Sequence, residues 1–321
     1  DLIEAYKAIY PDKFADNYLH NEVFMYFNSP IKILRQKDKS ILTKENRVRQ
    51  YKSLLHLEKP GDFSKINGKY YKSTLFIKLL VLALNKFSLL DPKGLGVEME
   101  AGKPGWNDAM NGLPGLFGSG ISETIELKRI IDFMLENQLP DAVELPIEIY
   151  ELFKNLENSF DYQNRVFARE EYREKTNDGL SGRLNLLLTE EIKSLLNKMA
   201  QHLDESLKKL YVDSNGIIPT YLTYEVIDYE MNNQKENTVK PISFVRKDVS
   251  PFLEAPARLL KTDFSKDKLR QMYRTIKNTE LYDKPLKQYR TSVSLEKDTF
   301  EIGRIKAFTP GGWKEKAISC I

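Results

Sequence analysis

Residues 94–120 read GLGVEMEAGKPGWNDAMNGLPGLFGSG, and the fold and function of the chain are organised around this segment. The segment is rich in glycine and contains two prolines, so a regular helix cannot continue through it. It also carries three carboxylates, an indole and two amides: Glu98, Glu100, Asp108, Trp106, Asn107 and Asn111. A long, glycine-rich stretch with this many hydrogen-bonding side chains is typical of a functional loop between regular elements.

Helical patterns lie on both sides of the segment. Residues Tyr71–Leu90 are apolar almost all round, which predicts a buried core helix. Polar residues interrupt that run, so it falls short of the roughly 20 apolar residues of a membrane span. After the segment, Ser122 is a suitable N-cap and Glu123 lies in the first turn, which predicts the start of an amphipathic helix.

Most of the remaining chain also has helical periodicity. The predicted helices are Leu2–Tyr10, Phe14–Phe27, Lys44–Leu57, Leu145–Glu174, one that starts at Thr189 with an apolar stripe to Leu210, Ser250–Leu260 and Ser265–Lys277. Residues 217–230, IIPTYLTYEVIDYE, alternate enough to predict a short strand or extended loop. Helices separated by long irregular loops predict a mostly α-helical protein.

The sequence GKPGWNDAMNGLPG, residues 102–115, resembles the acid-bearing loop of cellobiose-phosphorylase-like enzymes of the six-hairpin glycosidase superfamily. Tyr172–Gly182 and Glu301–Gly311 are similar to further segments of that family. The resemblance implies an all-α (α/α)6 toroid with long loops and minor β structure. It also implies that residues 1–321 are part of a single catalytic domain, with residues 94–120 as the central site loop.

The same resemblance implies a chemistry. Asp108 would protonate the glycosidic oxygen, while inorganic phosphate, as a co-substrate and with no other cofactor, would attack in an inverting phosphorolysis. Trp106, Asn107, Asn111, Glu98 and Glu100 would bind the oligosaccharide or disaccharide substrate. Arg304 and Thr309 are candidate phosphate ligands.

Two other classes of function stay open. One is an inverting glycoside hydrolase on the same scaffold, with Glu98, Glu100 or Glu254 as the base that activates water. The other is a non-catalytic helical domain that binds carbohydrate or has a structural role. Glu254 and Arg258 are four residues apart on a predicted helix, and we interpret them as an ion pair. Tyr172 and Arg173 are interpreted as packing and surface residues.

Composition limits the partners and the compartment. Lys and Arg total 49 against 46 Asp and Glu, and the charges are interleaved, which argues against a nucleic-acid or membrane surface. Cys320 is the single cysteine, which excludes an internal disulfide and fits the cytoplasm. The three histidines lack metal-ligand spacing, so no metal is expected. A homo-oligomer stays open.

The two ends of the chain predict an incomplete toroid. The sequence begins at Asp1 without Met, and it closes with GGWKEKAISCI where the family would continue into another helix. We therefore expect the chain to be part of a larger enzyme.

Overall fold

The computed structural model describes residues 1–44, 46–50, 54–98, 118–232 and 237–293. Helices and short antiparallel strands alternate along this part of the chain. The helices are α1 (Leu2–Ile9), α2 (Pro11–Leu19), α3 (Gln36–Lys39), α4 (Leu75–Ser88), α5 (Ile121–Glu136), α6 (Ile147–Asn158), α7 (Tyr162–Thr176), α8 (Thr189–Asp213), α9 (Glu254–Leu259) and α10 (Lys266–Ile276).

The strands are mostly two to five residues long, apart from one long hairpin. They are β1 (Phe24–Met25), β2 (Phe27–Asn28), β3 (Ile31–Ile33), β4 (Ser40–Leu42), β5 (Val48–Gln50), β6 (Leu54–His56), β7 (Asp62–Phe63), β8 (Lys65–Ile66), β9 (Lys69–Tyr70), β10 (Lys72–Ser73), β11 (Val97–Glu98), β12 (Ser119–Gly120), β13 (Ala142–Pro146), β14 (Leu184–Leu188), β15 (Tyr221–Met231), β16 (Val239–Asp248), β17 (Tyr282–Asp283) and β18 (Gln288–Tyr289).

The chain divides into two compact units. Unit 1 comprises Asp1–Lys32, His56–Leu89 and Ile130–Gln201, and unit 2 comprises Ile33–Leu55, Leu90–Arg129 and His202–Ile321. The divisions fall within α5 and α8, so each of these helices supplies residues to both units.

Unit 1 is built around the apolar helix α4. The Thr74 side chain caps its first turn by accepting a hydrogen bond from Ile77 N. Phe76, Leu80, Leu84 and Phe87 are fully buried along the helix, which packs with α2, α6 and α7. The prediction of a buried core helix in Tyr71–Leu90 is therefore confirmed.

Unit 2 contains an antiparallel sheet in the order β11-β12-β15-β16. Its largest part is the hairpin of β15 and β16, which pair from Leu222↔Asp248 to Met231↔Val239. The sequence of β15, YLTYEVIDYEM, is rich in aromatic and β-branched residues, which suit a pleated surface. The extended structure predicted for residues 217–230 is confirmed by this strand.

The prediction of an all-α (α/α)6 toroid is wrong. Of the described residues, 45% are helical and 25% are in strands, and these strands form several antiparallel sheets. The physical reason lies in non-local pairing, which helical periodicity does not reveal. Phe24 pairs with Ser73 and Phe27 pairs with Phe63, so strands replace the second half of the helix predicted for Phe14–Phe27.

Two other predicted helices are wrong in similar ways. Lys44–Leu57 contains β5 and β6 instead of a helix. Leu145–Glu174 is divided into α6 and α7, because the Asp161 side chain accepts a hydrogen bond from Asn164 N at 2.8 Å and begins a new helix there. By contrast, α8 begins at Thr189 as predicted, and its apolar stripe from Ile192 to Leu210 is buried.

Helix length also bears on membrane insertion. Among the helices of the described ranges, none combines the length and the apolar character that crossing a bilayer requires.

Candidate functional site at the base of the glycine-rich segment

The glycine-rich segment starts from a buried carboxylate in unit 2. Asp91 is fully buried, and its Oδ1 accepts hydrogen bonds from Lys93 N and Leu95 N, both at 3.0 Å. Its Oδ2 accepts from Gly96 N and Ser119 Oγ, both at 2.7 Å. Four donors therefore compensate the removal of this carboxylate from water.

The backbone around Asp91 forms a closed turn. Gly94 N donates to Asp91 O at 2.9 Å, and Asp91 N donates to Gly96 O at 2.7 Å. The residues Asp-Pro-Lys-Gly at 91–94 match the preferences of a type I turn, with Asp first, Pro second and Gly fourth. Local sequence and tertiary hydrogen bonds thus specify the same conformation.

Two glycines of this turn are required by close contacts. Gly94 has a φ of +70°, and a Cβ there would lie 2.6 Å from His202 Nε2. A Cβ on Gly96 would lie 2.4 Å from Ser119 Oγ. The Gly94 carbonyl also accepts a hydrogen bond from Ser206 Oγ at 2.9 Å. A side chain at either glycine would therefore displace the groups that hold the turn.

Strand pairing holds the two ends of the segment together. Val97 pairs with Gly120 and Glu98 pairs with Ser119 in the β11–β12 ladder. Ser119 also pairs with Leu222 of β15, which extends the ladder into the sheet of unit 2. Glu98 and Ser119, which flank residues 99–118, are therefore neighbours in the sheet.

Tyr224 of β15 lies beside the same carboxylate. It is fully buried, and its Oη meets no hydrogen-bonding atom within bonding geometry in the described ranges. Burial, and then the negative charge of Asp91, raise the pKa of Tyr224 above its ordinary value. The hydroxyl therefore stays neutral, and it is an uncharged neighbour of the Asp91 network.

Of the predicted site residues, Glu98 is the one that the structure places here. It lies on β11 opposite Ser119 and is 8% exposed. Glu100, Trp106, Asn107, Asp108 and Asn111 lie outside the described residues, as do Arg304 and Thr309. Their roles stay predictions.

The ion pair predicted between Glu254 and Arg258 is confirmed. Arg258 Nη2 lies 3.0 Å from Glu254 Oε1, and its Nη1 lies 2.9 Å from Glu126 Oε1. Glu254 therefore takes part in an ion pair, and Glu98, Glu100 and Glu254 stay the predicted alternatives for the base of a hydrolase.

The sequence analysis did not identify the residues that hold the two ends of the glycine-rich segment in place. Asp91 lies three residues before the segment, and its turn signal was available in the sequence. Ser119 and Tyr224 reach Asp91 through the register of β12 and β15, which has no local signal. In the parts of the chain that the structure describes, no group of three or more His, Cys, Asp or Glu side chains could hold a metal ion.

Comparisons with known proteins add no family to this description. A scan of the chain against models of protein families finds no match, and a search of curated proteins also finds none.

Proposed function

We propose that the chain is part of a carbohydrate-active enzyme that cleaves a glycosidic bond, with Asp108 as the general acid. The chain does not form the toroid of the family that this motif resembles, so the fold does not support the proposal. The proposal rests instead on the sequence GKPGWNDAMNGLPG and on the hydrogen bonds and strand pairs that hold the residues on either side of it. The favoured reaction is inverting phosphorolysis, in which inorganic phosphate is the nucleophile.

The observation that supports the proposal is the way in which both ends of the glycine-rich segment are held. The β11–β12 pairing and the four hydrogen bonds of Asp91 fix both ends of residues 99–117 in unit 2. Catalytic groups must be held close to one productive geometry, and a segment on a rigid base meets that need better than one with free ends.

The chemistry requires a proton donor and an anion-tolerant site. As the C–O bond breaks, Asp108 would transfer its proton to the leaving oxygen, so its carboxyl has to be protonated at the start of the reaction. The apolar residues around it, from Trp106 to Phe117, would favour that neutral form by reducing hydration. Asn107 and Asn111 would donate to or accept from sugar hydroxyls.

A hydrolase is the second candidate, and Glu98 is the observation that favours it. This buried carboxylate stands where the segment leaves the sheet, which is a suitable place for a base that activates water. Inverting hydrolases need such a base about 6.5–9.5 Å from the acid, whereas a phosphorylase needs no second carboxylate.

Phosphate dependence distinguishes the two reactions. The full chain is incubated with a panel of disaccharides, with and without inorganic phosphate, and products are measured by chromatography. Phosphorolysis yields a sugar phosphate only when phosphate is present. Release of free sugars in both samples indicates a hydrolase, and no cleavage in either contradicts the proposal and favours a non-catalytic carbohydrate-binding domain.

The role of Asp108 is tested with the Asp108→Asn variant. General acid catalysis is worth about 10²- to 10⁴-fold, so the rate on a disaccharide should fall by at least that factor. A glycosyl fluoride needs little protonation on departure and should lose far less. The matched control is Asp178→Asn, at an exposed carboxylate of unit 1. Equal losses on both substrates would mean that the acid lies elsewhere.

A further inference from the structure

A cavity of about 190 Å³ is lined by residues of unit 1. Strand β2, helices α4, α6 and α7, and connecting residues between elements supply its walls. One part of the lining is aromatic, with Tyr26, Phe27 and Tyr172. Another part is polar, with Asn28, Ser64 and Lys78.

Lys78 brings a cation to this cavity. Its Nζ donates to Met25 O at 2.7 Å and lies 3.8 Å from the centroid of the Tyr26 ring. A lysine ammonium has three N–H donors, so two remain for a ligand. Within the described ranges no carboxylate forms an ion pair with Lys78. The described residues that line the cavity include no Asp or Glu.

The surroundings of Lys78 favour an anionic ligand. Burial lowers the pKa of Lys78, because removal from water disfavours the charged form. An anion next to the ammonium would offset that cost. The buried carboxylate Glu148 acts electrostatically on Tyr172 of the lining, and its Oε1 accepts a hydrogen bond from Ser181 N at 2.8 Å.

Two further polar groups are available to a ligand. The Ser64 hydroxyl forms no side-chain hydrogen bond in the described part of the chain. Asn28 uses its Nδ2 to donate to Asn177 O at 3.1 Å, which leaves its Oδ1 as an acceptor. Together with Lys78 they provide donors and acceptors in a cavity that is also lined by aromatic side chains.

The volume limits the ligand to a single ring. A cavity of about 150 Å³ holds benzene, so this one holds a six-membered ring with a few substituents. Drug-sized ligands and nucleotides occupy pockets of roughly 300–1,000 Å³. A pyranose combines apolar C–H faces, which stack on aromatic rings, with a polar rim of hydroxyls.

We propose that the unit 1 cavity is a binding site for an acidic sugar, a hexuronate, whose carboxylate is recognised by the Lys78 ammonium. The sugar ring contacts Phe27 and Tyr172, because the Tyr26 ring already contacts Lys78 and stacks on Tyr71. The sugar hydroxyls bond to Ser64 and Asn28. This site lies wholly in unit 1 and does not involve Asp108.

Exposed aromatic residues extend the site beyond the cavity. Phe27 packs against Phe63 with ring centroids 5.9 Å apart, and Phe63 packs against Tyr70 at 6.1 Å. All three side chains are exposed, although burial would be the favoured state of such rings. They provide a surface for the next sugar of a chain whose acidic terminal residue occupies the cavity.

Calorimetric titration of the full chain tests the proposal. The probes are galacturonate, galactose, benzoate and digalacturonate. Because hydrogen bonds to a charged group are strong, galacturonate should bind about tenfold or more tightly than galactose, which lacks the carboxylate. Benzoate has the charge and the ring but no hydroxyls, and it should bind more weakly than galacturonate.

Variants assign the recognition to individual side chains. Lys78→Met should weaken galacturonate at least tenfold and galactose by much less, so the preference for the acid disappears. Lys86→Met is the matched control, because Lys86 lies on the same helix at intermediate burial and does not line the cavity. Phe63→Ala should weaken digalacturonate and leave galacturonate unchanged. Ser64→Ala should weaken both galacturonate and galactose.

Several outcomes would overturn the site. They are equal binding of galacturonate and galactose, benzoate as tight as galacturonate, and no binding of any probe at millimolar concentration. If Lys78→Met does not fold, the ligand series and Ser64→Ala still decide the question on their own. Asp108→Asn should leave galacturonate binding unchanged, so failure here and failure of glycosidic cleavage are separate results.

Discussion

Two regions of the molecule each contain a buried carboxylate, and they satisfy it differently. In unit 2, Asp91 accepts four hydrogen bonds and fixes the backbone of residues 91–96. In unit 1, Glu148 is 4% exposed and accepts one bond, from Ser181 N, while its Oε2 meets no partner in the described ranges. A buried carboxylate therefore makes the surrounding backbone rigid only when several groups donate hydrogen bonds to it. Burial alone does not make the backbone rigid.

The helix dipole explains how Glu148 is tolerated. It lies in the first turn of α6, where the unpaired backbone N–H groups favour a negative charge. Its charge is also felt by Tyr172, whose pKa is raised first by burial and then by Glu148. The charge of Glu148 is thus stabilised mainly by the helix dipole, whereas the carboxylate of Asp91 is stabilised by individual hydrogen bonds.

The largest expected effect is on the Asp91 side of this comparison. Asp91→Asn puts an amide N–H₂ where an oxygen accepted two bonds, so at least one buried donor loses its acceptor. Each such loss costs about 1–3 kcal/mol, and we expect the free energy of unfolding to fall by about 2–5 kcal/mol. Urea denaturation measures the change. A fall no larger than that of the exposed control Asp178→Asn would show that the Asp91 network does not stabilise the fold.

A smaller effect is expected at Tyr224 in alkaline solution. Because the folded-state pKa of Tyr224 is raised, the folded chain keeps this proton while the unfolded chain releases it above its ordinary pKa near 10. The stability is therefore complete below pH 10 and declines above it, by about 1.4 kcal/mol at pH 11 for this one group.

Tyr224→Phe removes that decline. The loss of stability between pH 8 and pH 11 should be smaller in the variant by about 1.4 kcal/mol, as measured by urea denaturation at each pH. Tyr10→Phe, at an exposed residue, is the control. Identical pH profiles for wild type and Tyr224→Phe would show that the Tyr224 hydroxyl titrates normally.

The smallest effect is expected on the Glu148 side. In Glu148→Gln the Oε1 still accepts a hydrogen bond from Ser181 N. The variant loses the favourable interaction of a negative charge with the α6 N-terminus, but a neutral amide costs less to bury than a carboxylate with one unbonded oxygen. The free energy of unfolding should change by less than about 1 kcal/mol. A loss equal to that of Asp91→Asn would remove the distinction between the two regions.

The sequence alone predicted the helices whose apolar residues show a helical pattern within the element itself. The stripe of α8 repeats over a long helix, and α4 is apolar all round, so both were predicted where they occur. The strands of residues 24–73 are two or three residues long and depend on distant partners such as Phe24 with Ser73. Such pairing leaves no periodic signal, which is why the toroid was wrong.

The base of the candidate site could be predicted in part. The turn at Asp91 was readable from Asp-Pro-Lys-Gly, and the glycines indicated close approach. The contacts of Asp91 with Ser119 and Tyr224 depend on the register of β12 against β15, which only the folded chain specifies. The cavity in unit 1 was not predicted, because residues from four elements and their connections meet there and Tyr172 resembled a packing residue.

The β11–β12 pairing has a consequence for chain entropy. Joining the ends of a loop costs free energy that grows only with the logarithm of its length, about 0.6 kcal/mol for each doubling. Since Glu98 and Ser119 are already paired, that closure is provided by the sheet and by Asp91. Doubling the number of residues between Glu98 and Ser119 should therefore lower the free energy of unfolding by only about 0.6 kcal/mol.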